Sequence, residues 1–225
     1  PLPFAGRPLV PAALAHEGDI KEVQGLMDRG VFQRVAALPP GARAITARMV
    51  RRFKGDVIKS RLVLRDIAKS KPWAGEFFAA TPSLMAARVV TGLASYHRRC
   101  AQQQGTPYVV KALDVSQAFV HAPMEEEVYS IVPPELDGLE VTLDREVYAM
   151  RAGAYMLVLT ASYGYRPSPQ PWPLHYVSVS EPLDMLRCQS EPAVFHSKNY
   201  KTLAVVHVDD ILIFGEEEAV ETYFR

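Results

Sequence analysis

Apolar residues along the chain fall into short runs separated by turn-forming residues, and two stretches have helical spacing. Apolar positions recur every three or four residues from Ile20 to Met27, which predicts a helix over 16–29 that ends at Gly30. Thr81-Pro82 predicts the start of a second helix that continues to about Cys100. Predicted strands cover 31–35, 44–54, 57–67, 108–115, 127–132, 193–197 and the two arms of a hairpin within 203–214.

Other stretches are less regular. Residues 1–15 are predicted to form an extended lead-in, because the first eleven are rich in proline. Residues 141–161 fit a helix or a strand equally well, and a helix could follow the prolines at 167–173 as far as Arg187. Strands and helices are mixed without regular βαβ alternation, so we expect an α+β fold.

Composition narrows the class of protein only a little. The chain has 225 residues, 48% of them hydrophobic and 22% charged, which suits one large domain or two small ones. Cys100 and Cys188 have neither disulfide-framework nor zinc-ligand spacing, so a reducing compartment is expected. No apolar run reaches the roughly 20 residues that span a bilayer, so no membrane partner is expected. Without an initiator Met or a signal-peptide pattern, the chain is interpreted as a piece of a longer protein.

Charge is unevenly distributed, although the formal net charge is +0. The predicted strands at 44–54 and 57–67 flank Gly55-Asp56 and are predicted to pair as a hairpin, which we call the basic hairpin. The segment 43–71 around it carries ten basic residues against two acidic ones. Such a patch could bind phosphates, or it could simply be a solvated surface.

Two adjacent carboxylates, Asp209 and Asp210, lie between the apolar arms of the hairpin near the end of the chain. The pair could be an ordinary two-residue exposed turn. Asp114, however, ends another apolar strand, and neighbouring strands would bring these carboxylates to one sheet end. Their repulsion would then need compensation, which Mg²⁺ supplies well because it prefers carboxylate oxygens and substrate phosphates. Asp114 could equally cap the turn that follows it.

Six segments occur in a consistent order along the chain and carry a family resemblance. They are "KSRLVLRD", "EFFAATPSLMAARVV", "LDVSQAFVHAPMEEEVYSIVPPE", "SYGYRPSPQPW", "SEPAVF" and "HVDDILIFG". The third is similar to an Asp-x-x-x-Ala-Phe motif A, the fourth to a Leu-Tyr-Gly-Leu-Arg-x-x-Pro-x-x-Trp motif B, and the last to a Tyr-x-Asp-Asp motif C. Together they resemble the reverse transcriptase of copia-type long-terminal-repeat retrotransposons.

The resemblance implies a right-hand polymerase with a fingers region at 16–105 and a palm region at 106–225, one continuous domain truncated before the thumb. The implied activity is RNA-directed DNA polymerisation with two Mg²⁺ ions, for which Mn²⁺ could substitute. Implied partners are an RNA or DNA template, a DNA or RNA primer, a deoxynucleoside triphosphate and the remaining polyprotein with its protease, integrase and RNase H. The resemblance also implies an intracellular, cytoplasmic location in a virus-like particle, with a nuclear phase. Weak or no polymerisation is expected from these residues alone.

The resemblance also implies roles for individual residues. Catalysis and metal binding fall to Asp114, Asp209 and Asp210. Nucleotide binding falls to Arg61, Val115, Ser116, Phe119, Tyr163 and Gly164, and template or primer binding to Lys59, Arg65 and Arg166. Phe119 matches a steric gate against a ribose 2′-hydroxyl, and Arg61 matches a guanidinium that grips the triphosphate. Gly164 would let the backbone approach the template base or the nucleotide closely.

Three departures from the family pattern bear on the interpretation. His207 replaces the usual aromatic residue before Val208-Asp209-Asp210. The segment around Tyr148 also resembles motif B, and spacing favours Tyr163, so residues 149–161 are interpreted as an insertion or a duplicated fragment. The prolines at 167–173 are expected to weaken the helix after motif B.

Two alternative functions stay open. An inactive or domesticated remnant would bind nucleic acid through the basic hairpin without catalysis. An RNA-templated RNA polymerase would use the same carboxylates, but a bulky Phe119 opposes it because such an enzyme must admit the 2′-hydroxyl.

Overall fold

The computed structural model describes residues 10–67, 81–143, 145–199 and 201–224. Its elements follow this order: α1 (Ala12–Asp28), β1 (Phe32–Val35), β2 (Ala44–Lys54), β3 (Val57–Leu64), α2 (Leu84–Gln103), β4 (Tyr108–Asp114), β5 (Pro123–Ile131), β6 (Glu140–Leu143), β7 (Glu146–Ala149), β8 (Tyr155–Thr160), α3 (Pro171–Ser180), β9 (Met185–Arg187), β10 (Val194–Ser197), β11 (Thr202–His207), β12 (Asp210–Glu216) and α4 (Glu217–Glu221). Within these described ranges, no helix is both long and apolar enough to cross a membrane.

Two compact units make up the chain. Of the described residues, those of 10–67 and 123–168 belong to the first unit, and those of 81–122 and 169–224 belong to the second. These units divide the chain differently from the predicted fingers region at 16–105 and palm region at 106–225. Residues 123–168 join the first unit because β5 and β8 complete its sheet.

The first unit contains a five-stranded sheet in the order β1-β8-β5-β2-β3. All its pairings are antiparallel except that of β2 with β5. Helix α1 packs against the β2–β3 hairpin, mainly against β3. Its Val23, Leu26 and Met27 are buried. Because α1 begins at Ala12, the predicted extended lead-in is wrong for residues 12–15; residues 1–9 lie outside the described part of the chain. Good helix formers follow Pro11, the last residue with extended backbone.

The described part of 141–161 contains the end of β6, all of β7 and all of β8. β6 and β7 form a separate two-stranded ribbon, and β8 lies between β1 and β5 in the main sheet. Met156 and Val158 of β8 are buried, at 2% and 3% exposure. The interpretation of 149–161 as an insertion or duplicated fragment is therefore wrong, since the sheet would lose an interior strand without it.

A buried carboxylate ties α1 to the basic hairpin. Asp19 is 3% exposed and accepts two hydrogen bonds of 2.6 Å, from Arg51 Nη2 and from Ser60 Oγ. Hydrogen bonding to Asp19 raises the pKa of Arg51. A buried charge is tolerated when it is paired and hydrogen-bonded in this way. Arg51 is thus part of the interior of the first unit, although the sequence groups it with the basic patch.

The second unit contains an antiparallel sheet in the order β4-β12-β11-β10-β9. Val90 and Ala94 of α2 pack on one face, against Leu203, Val205 and Phe214. Tyr176 of α3 packs on Phe195, with ring centroids 4.8 Å apart. Phe195 pairs with Ala204, so strand alternation directs it to the face opposite α2.

Helices α2 and α3 of the second unit differ from the sequence prediction. α2 is capped by Ser83, whose hydroxyl accepts from the Ala86 N–H at 3.0 Å, rather than by Thr81. α3 forms in spite of its prolines. Pro171 and Pro173 occupy its first turn, where the backbone N–H groups have no partner within the helix and proline is tolerated.

Candidate functional site

The aspartates near the end of the chain lie at the tip of the β11–β12 hairpin. His207 pairs with Asp210, so the two-residue turn is Val208–Asp209. The prediction of an Asp209–Asp210 turn is wrong by one residue. Val208 has φ 58°, a left-handed conformation that is rare for a β-branched residue. The turn thus separates the two carboxylates, one in the turn and one at the start of β12.

The neighbouring strand completes this end of the sheet. Asp114, the last residue of β4, lies directly opposite Asp210. Residues that face each other across an antiparallel pair have their side chains on the same face. His207, Asp210 and Asp114 therefore form a row across three strands, and all three are exposed. The Val115 N–H donates to the Asp209 carbonyl at 2.8 Å and joins the two strand ends.

The chemistry of these donors suits a hard cation, because carboxylate oxygens are the protein ligands that Mg²⁺ prefers. Asp114 and Asp210 supply a facing pair, and half-buried Asp209 lies in the adjoining turn. In the described part of the chain, however, no three His, Cys, Asp or Glu side chains are grouped so that they could hold a metal ion. The carboxylates of Asp114 and Asp210 therefore lie on one face of the sheet, and Asp209 is next to Asp210 in sequence.

The residues after Asp114 form a tight turn. The main-chain N–H of Val115 is engaged by Asp209, and the Ser116 carbonyl lies 3.1 Å from His121 Nε2. A short 3₁₀ helix, Ala118–His121, then places Phe119 in a half-buried position. An aromatic ring in that position remains accessible on one side.

Trp172 is a neighbour of this site that the sequence analysis missed. Its indole N–H donates to the Val208 carbonyl at 2.7 Å, in the turn that carries Asp209. The residue is visible in the segment "SYGYRPSPQPW", but the spacing of 36 residues between Trp172 and Val208 provides no sequence signal of the contact.

The first unit holds the other sequence-predicted site residues. The Arg61 guanidinium lies 4.7 Å from the centre of the Tyr163 ring, which is cation–π geometry. The Leu64 N–H donates to the Tyr163 carbonyl at 2.7 Å, so the loop that follows β8 is joined to β3. The second motif-B candidate, Tyr148, lies in β7 under the Arg34 guanidinium at 4.4 Å.

Gly164 lies very close to strand β3 of the same chain. A Cβ at this position would lie 2.1 Å from the Leu64 carbonyl oxygen and 2.5 Å from a Val63 methyl carbon, and φ is +81°. The observed neighbour of Gly164 is therefore β3, and the close approach of a template base or nucleotide at this glycine stays a prediction.

Arg166 has an acidic partner that no sequence pattern indicates. Its Nε donates to Asp66 Oδ2 at 2.9 Å and its Nη2 donates to Oδ1 at 3.2 Å. This hydrogen bonding raises the pKa of Arg166. Burial, followed by the charge of Glu126, raises the pKa of neighbouring Tyr165 to about 12. The guanidinium predicted to contact template or primer therefore binds Asp66, which follows β3.

The basic hairpin has two distinct faces. Its inner face carries buried residues such as Met49, Ile58 and Leu62. Strand alternation and the pairing of Arg52 with Lys59 bring the remaining cations to the outer face. These exposed side chains, which we call the basic face, are Arg48, Arg52, Lys54, Lys59, Arg61 and Arg65. Lys69 and Lys71 lie outside the described residues.

Comparison with known proteins gives the chain a context. No protein-family model matches it. It is 26% identical over 213 residues to the retrovirus-related Pol polyprotein from transposon TNT 1-94 of Nicotiana tabacum. The chain is similar to a region of a retrotransposon polyprotein. That match covers 89% of this chain and 14% of the Nicotiana tabacum protein.

Proposed function

We propose that the chain is the fingers and palm region of an RNA-directed DNA polymerase from a retrotransposon, with an α+β right-hand fold. The observation that carries the proposal is the register of β4 and β12, which sets Asp114 opposite Asp210 beside Asp209. The similarity to a retrotransposon Pol polyprotein supports it independently. The ordered motifs around these residues support polymerase among the enzymes of such a polyprotein.

The reaction is attack of a primer 3′-hydroxyl on the α-phosphate of a deoxynucleoside triphosphate, with release of pyrophosphate. Bound Mg²⁺ would offset the charge of the carboxylates and of the phosphates and would favour ionisation of the 3′-hydroxyl. Asp114, Asp209 and Asp210 are the residues that would hold it. The sheet contributes rigidity, because β11, which leads into the turn, is buried from Thr202 to Val206.

Phe119 would select the sugar. It follows Asp114 by five residues and is held in the short helix Ala118–His121. A ring beside the 2′ position rejects a ribose hydroxyl by overlap, which favours deoxynucleotides and argues against an RNA-templated RNA polymerase.

The basic face of the first unit supports contact with nucleic acid or with nucleotide phosphates. Six exposed cations on one side of a hairpin provide a phosphate-binding surface, and a planar guanidinium such as that of Arg61 suits paired phosphate oxygens. Lys59 and Arg65 would hold template phosphates. Arg166 is the weaker candidate because Asp66 already binds its guanidinium.

A second function, nucleic-acid binding without catalysis, has one observation in its favour. The described residues contain the basic face but no group of three metal-ligating side chains. A remnant that binds template through the basic hairpin would need the basic face but no metal-ligating group.

Primer extension separates the two functions. The longest soluble form of the polypeptide that carries these residues is given an RNA template, a DNA primer, deoxynucleotides and Mg²⁺. Incorporation that disappears in Asp209→Asn and persists in Glu218→Gln, an exposed carboxylate beyond β12, supports the polymerase. Template binding with no incorporation by the wild-type protein would leave the binding module as the function.

A further inference from the structure

Two hydrogen bonds from outside the hairpin hold the Val208–Asp209 turn. Trp172 Nε1–H donates to the Val208 carbonyl at 2.7 Å, and the Val115 N–H donates to the Asp209 carbonyl at 2.8 Å. Consecutive carbonyls of the turn are therefore fixed by two different elements, α3 and the segment after β4. A two-residue turn without such contacts would be held only by its own strands.

The donor of the first bond is itself fixed by packing. Trp172 is 4% exposed on the first turn of α3, and its ring centre lies 6.0 Å from that of Tyr176. Trp172, Tyr176 and Phe195 line a small apolar crevice together with Val206 and Val208. The direction of the indole N–H is set by this packing, because the ring cannot turn without displacing its neighbours.

The acceptor lies at a strained position. A left-handed φ of 58° is unfavourable for valine, and such residues persist where the surroundings determine their conformation. Relief of the strain requires rotation about the N–Cα bond of Val208. The Val208 carbonyl lies beyond that bond, so the rotation would also carry it away from the Trp172 indole. The indole bond opposes that rotation. Asp209 follows directly, so its backbone orientation depends on the same rotation.

We infer that Trp172 is a positioning residue, which fixes the turn that carries Asp209 through the Val208 carbonyl. Its effect on catalysis rests on the proposed function, whereas its effect on the turn does not. The role requires a ring nitrogen and not merely an aromatic ring, which makes Trp172→Phe the informative substitution.

Amide hydrogen exchange tests the structural part without any turnover. In Trp172→Phe, exchange at Val115 and Asp210 should accelerate about three- to tenfold relative to amides in the middle of β11 and β12, which is the size of one net hydrogen bond. Normalising to the strand centres removes any change in global stability. Tyr176→Phe is the matched control, because it alters the same helix and crevice and leaves the indole bond intact. Unchanged relative exchange in Trp172→Phe, or an equal change in Tyr176→Phe, would overturn the inference.

Steady-state kinetics test the catalytic part on the longest soluble form of the polypeptide. Trp172→Phe should lower kcat about tenfold while the affinity for primer–template stays the same, and Tyr176→Phe should lower neither. An unaffected kcat in an active Trp172→Phe protein would contradict the positioning role. Wild-type protein that incorporates no nucleotide would instead refute the proposed polymerase, and the exchange data would still decide whether Trp172 fixes the turn.

Discussion

Gly164 shows how one residue joins the loop after β8 to strand β3. Its left-handed φ of +81° disfavours any side chain, and the Leu64 carbonyl occupies the space that a Cβ would need. Gly153 has the same φ of +81° but has no neighbouring atom within 4 Å of an added Cβ. A side chain at Gly153 would therefore meet backbone strain alone, whereas one at Gly164 would meet both backbone strain and steric overlap.

Alanine substitutions at both glycines should reveal this difference. Gly153→Ala should cost about 1–2 kcal/mol from backbone strain alone. Gly164→Ala should cost about 1–3 kcal/mol more, since the chain must also move away from the new methyl group. Urea denaturation of both variants measures the difference in free energy of unfolding. Equal losses would show that the contact with Leu64 carries no energy.

Phe119→Ala tests sugar selection at the residue scale. If the Phe119 ring excludes the 2′-hydroxyl, its removal should allow ribonucleotide incorporation and leave deoxynucleotide incorporation largely intact. The measurement is the ratio of kcat/KM for a deoxynucleotide to kcat/KM for the matching ribonucleotide. A ratio unchanged from wild type would mean that the ring has a purely structural role.

The single-residue error in the predicted turn has a physical reason. Val206 pairs with Ile211; moving the turn by one residue would pair it with Ile213. Both partners lie on the same face of β12, because side chains alternate with a period of two. The apolar pattern therefore cannot distinguish these registers. In the same way, no local signal connects Arg166 with Asp66, or Trp172 with Val208, because each contact joins distant parts of the chain.

At the scale of elements, the basic hairpin serves two purposes. Its inner face holds α1 through Ile58, which lies against Gly18, and through the Asp19–Arg51 ion pair. Its outer side carries the basic face. The alternation of side chains separates the two sets of residues, so changes to the outer face leave the core unaltered.

Salt dependence of nucleic-acid binding tests the basic face. The double substitution of Arg52→Gln and Lys59→Gln should lower the slope of log affinity against log salt by about 0.7–0.9 for each phosphate that the variant no longer neutralises. Changing Lys198 and Lys201 to Gln in the second unit is the control, and it should keep the wild-type slope. The claim fails if the hairpin variant and wild type have the same slope.

Helix α3 introduces a pH dependence. Burial, and then the positive charge of His121, lowers the pKa of His175. Below the ordinary pKa of about 6.5, the unfolded chain binds a proton that the folded chain does not, so stability should fall as pH decreases. In His175→Gln, the loss of Tm between about pH 7.5 and about pH 5.5 should be smaller than in wild type. Leu174→Ala, on the exposed side of the same helix, should keep the wild-type pH dependence, and an unchanged loss in His175→Gln would refute the argument.

Long or strongly patterned elements were the ones that sequence could predict. The limits of β2 agree with the prediction, and those of β4, β10 and the β11–β12 hairpin agree closely. Helix α1 was predicted as a helix, but it begins at Ala12 rather than at His16. Residues 141–161 could not be assigned, because they fold as short strands whose apolar runs also suit a helix. The burial of β8 depends on β1 and β5, which no local pattern reveals.

At the scale of the whole molecule, the chain forms its two units from interleaved segments. Along the chain, α2 and β4 belong to the second unit, and the following strands β5 to β8 belong again to the first. Pairing of β5 with β2 joins Ala44 to Tyr129, a contact that a linear division at residue 105 does not foresee. The matched Pol polyprotein is much longer than this chain, which spans 14% of it, so polymerase activity is proposed from the second unit's carboxylates and the ordered motifs.

The central claim is that Asp114, Asp209 and Asp210 form one metal site, and a Mn²⁺ titration followed by electron paramagnetic resonance tests it most directly. Wild-type protein should bind Mn²⁺, and Asp114→Asn and Asp209→Asn should each weaken that binding at least about tenfold, because each removes a carboxylate ligand. Glu218→Gln should bind as wild type does. No binding by wild type, or equal affinity in wild type and both Asp variants, would contradict the account.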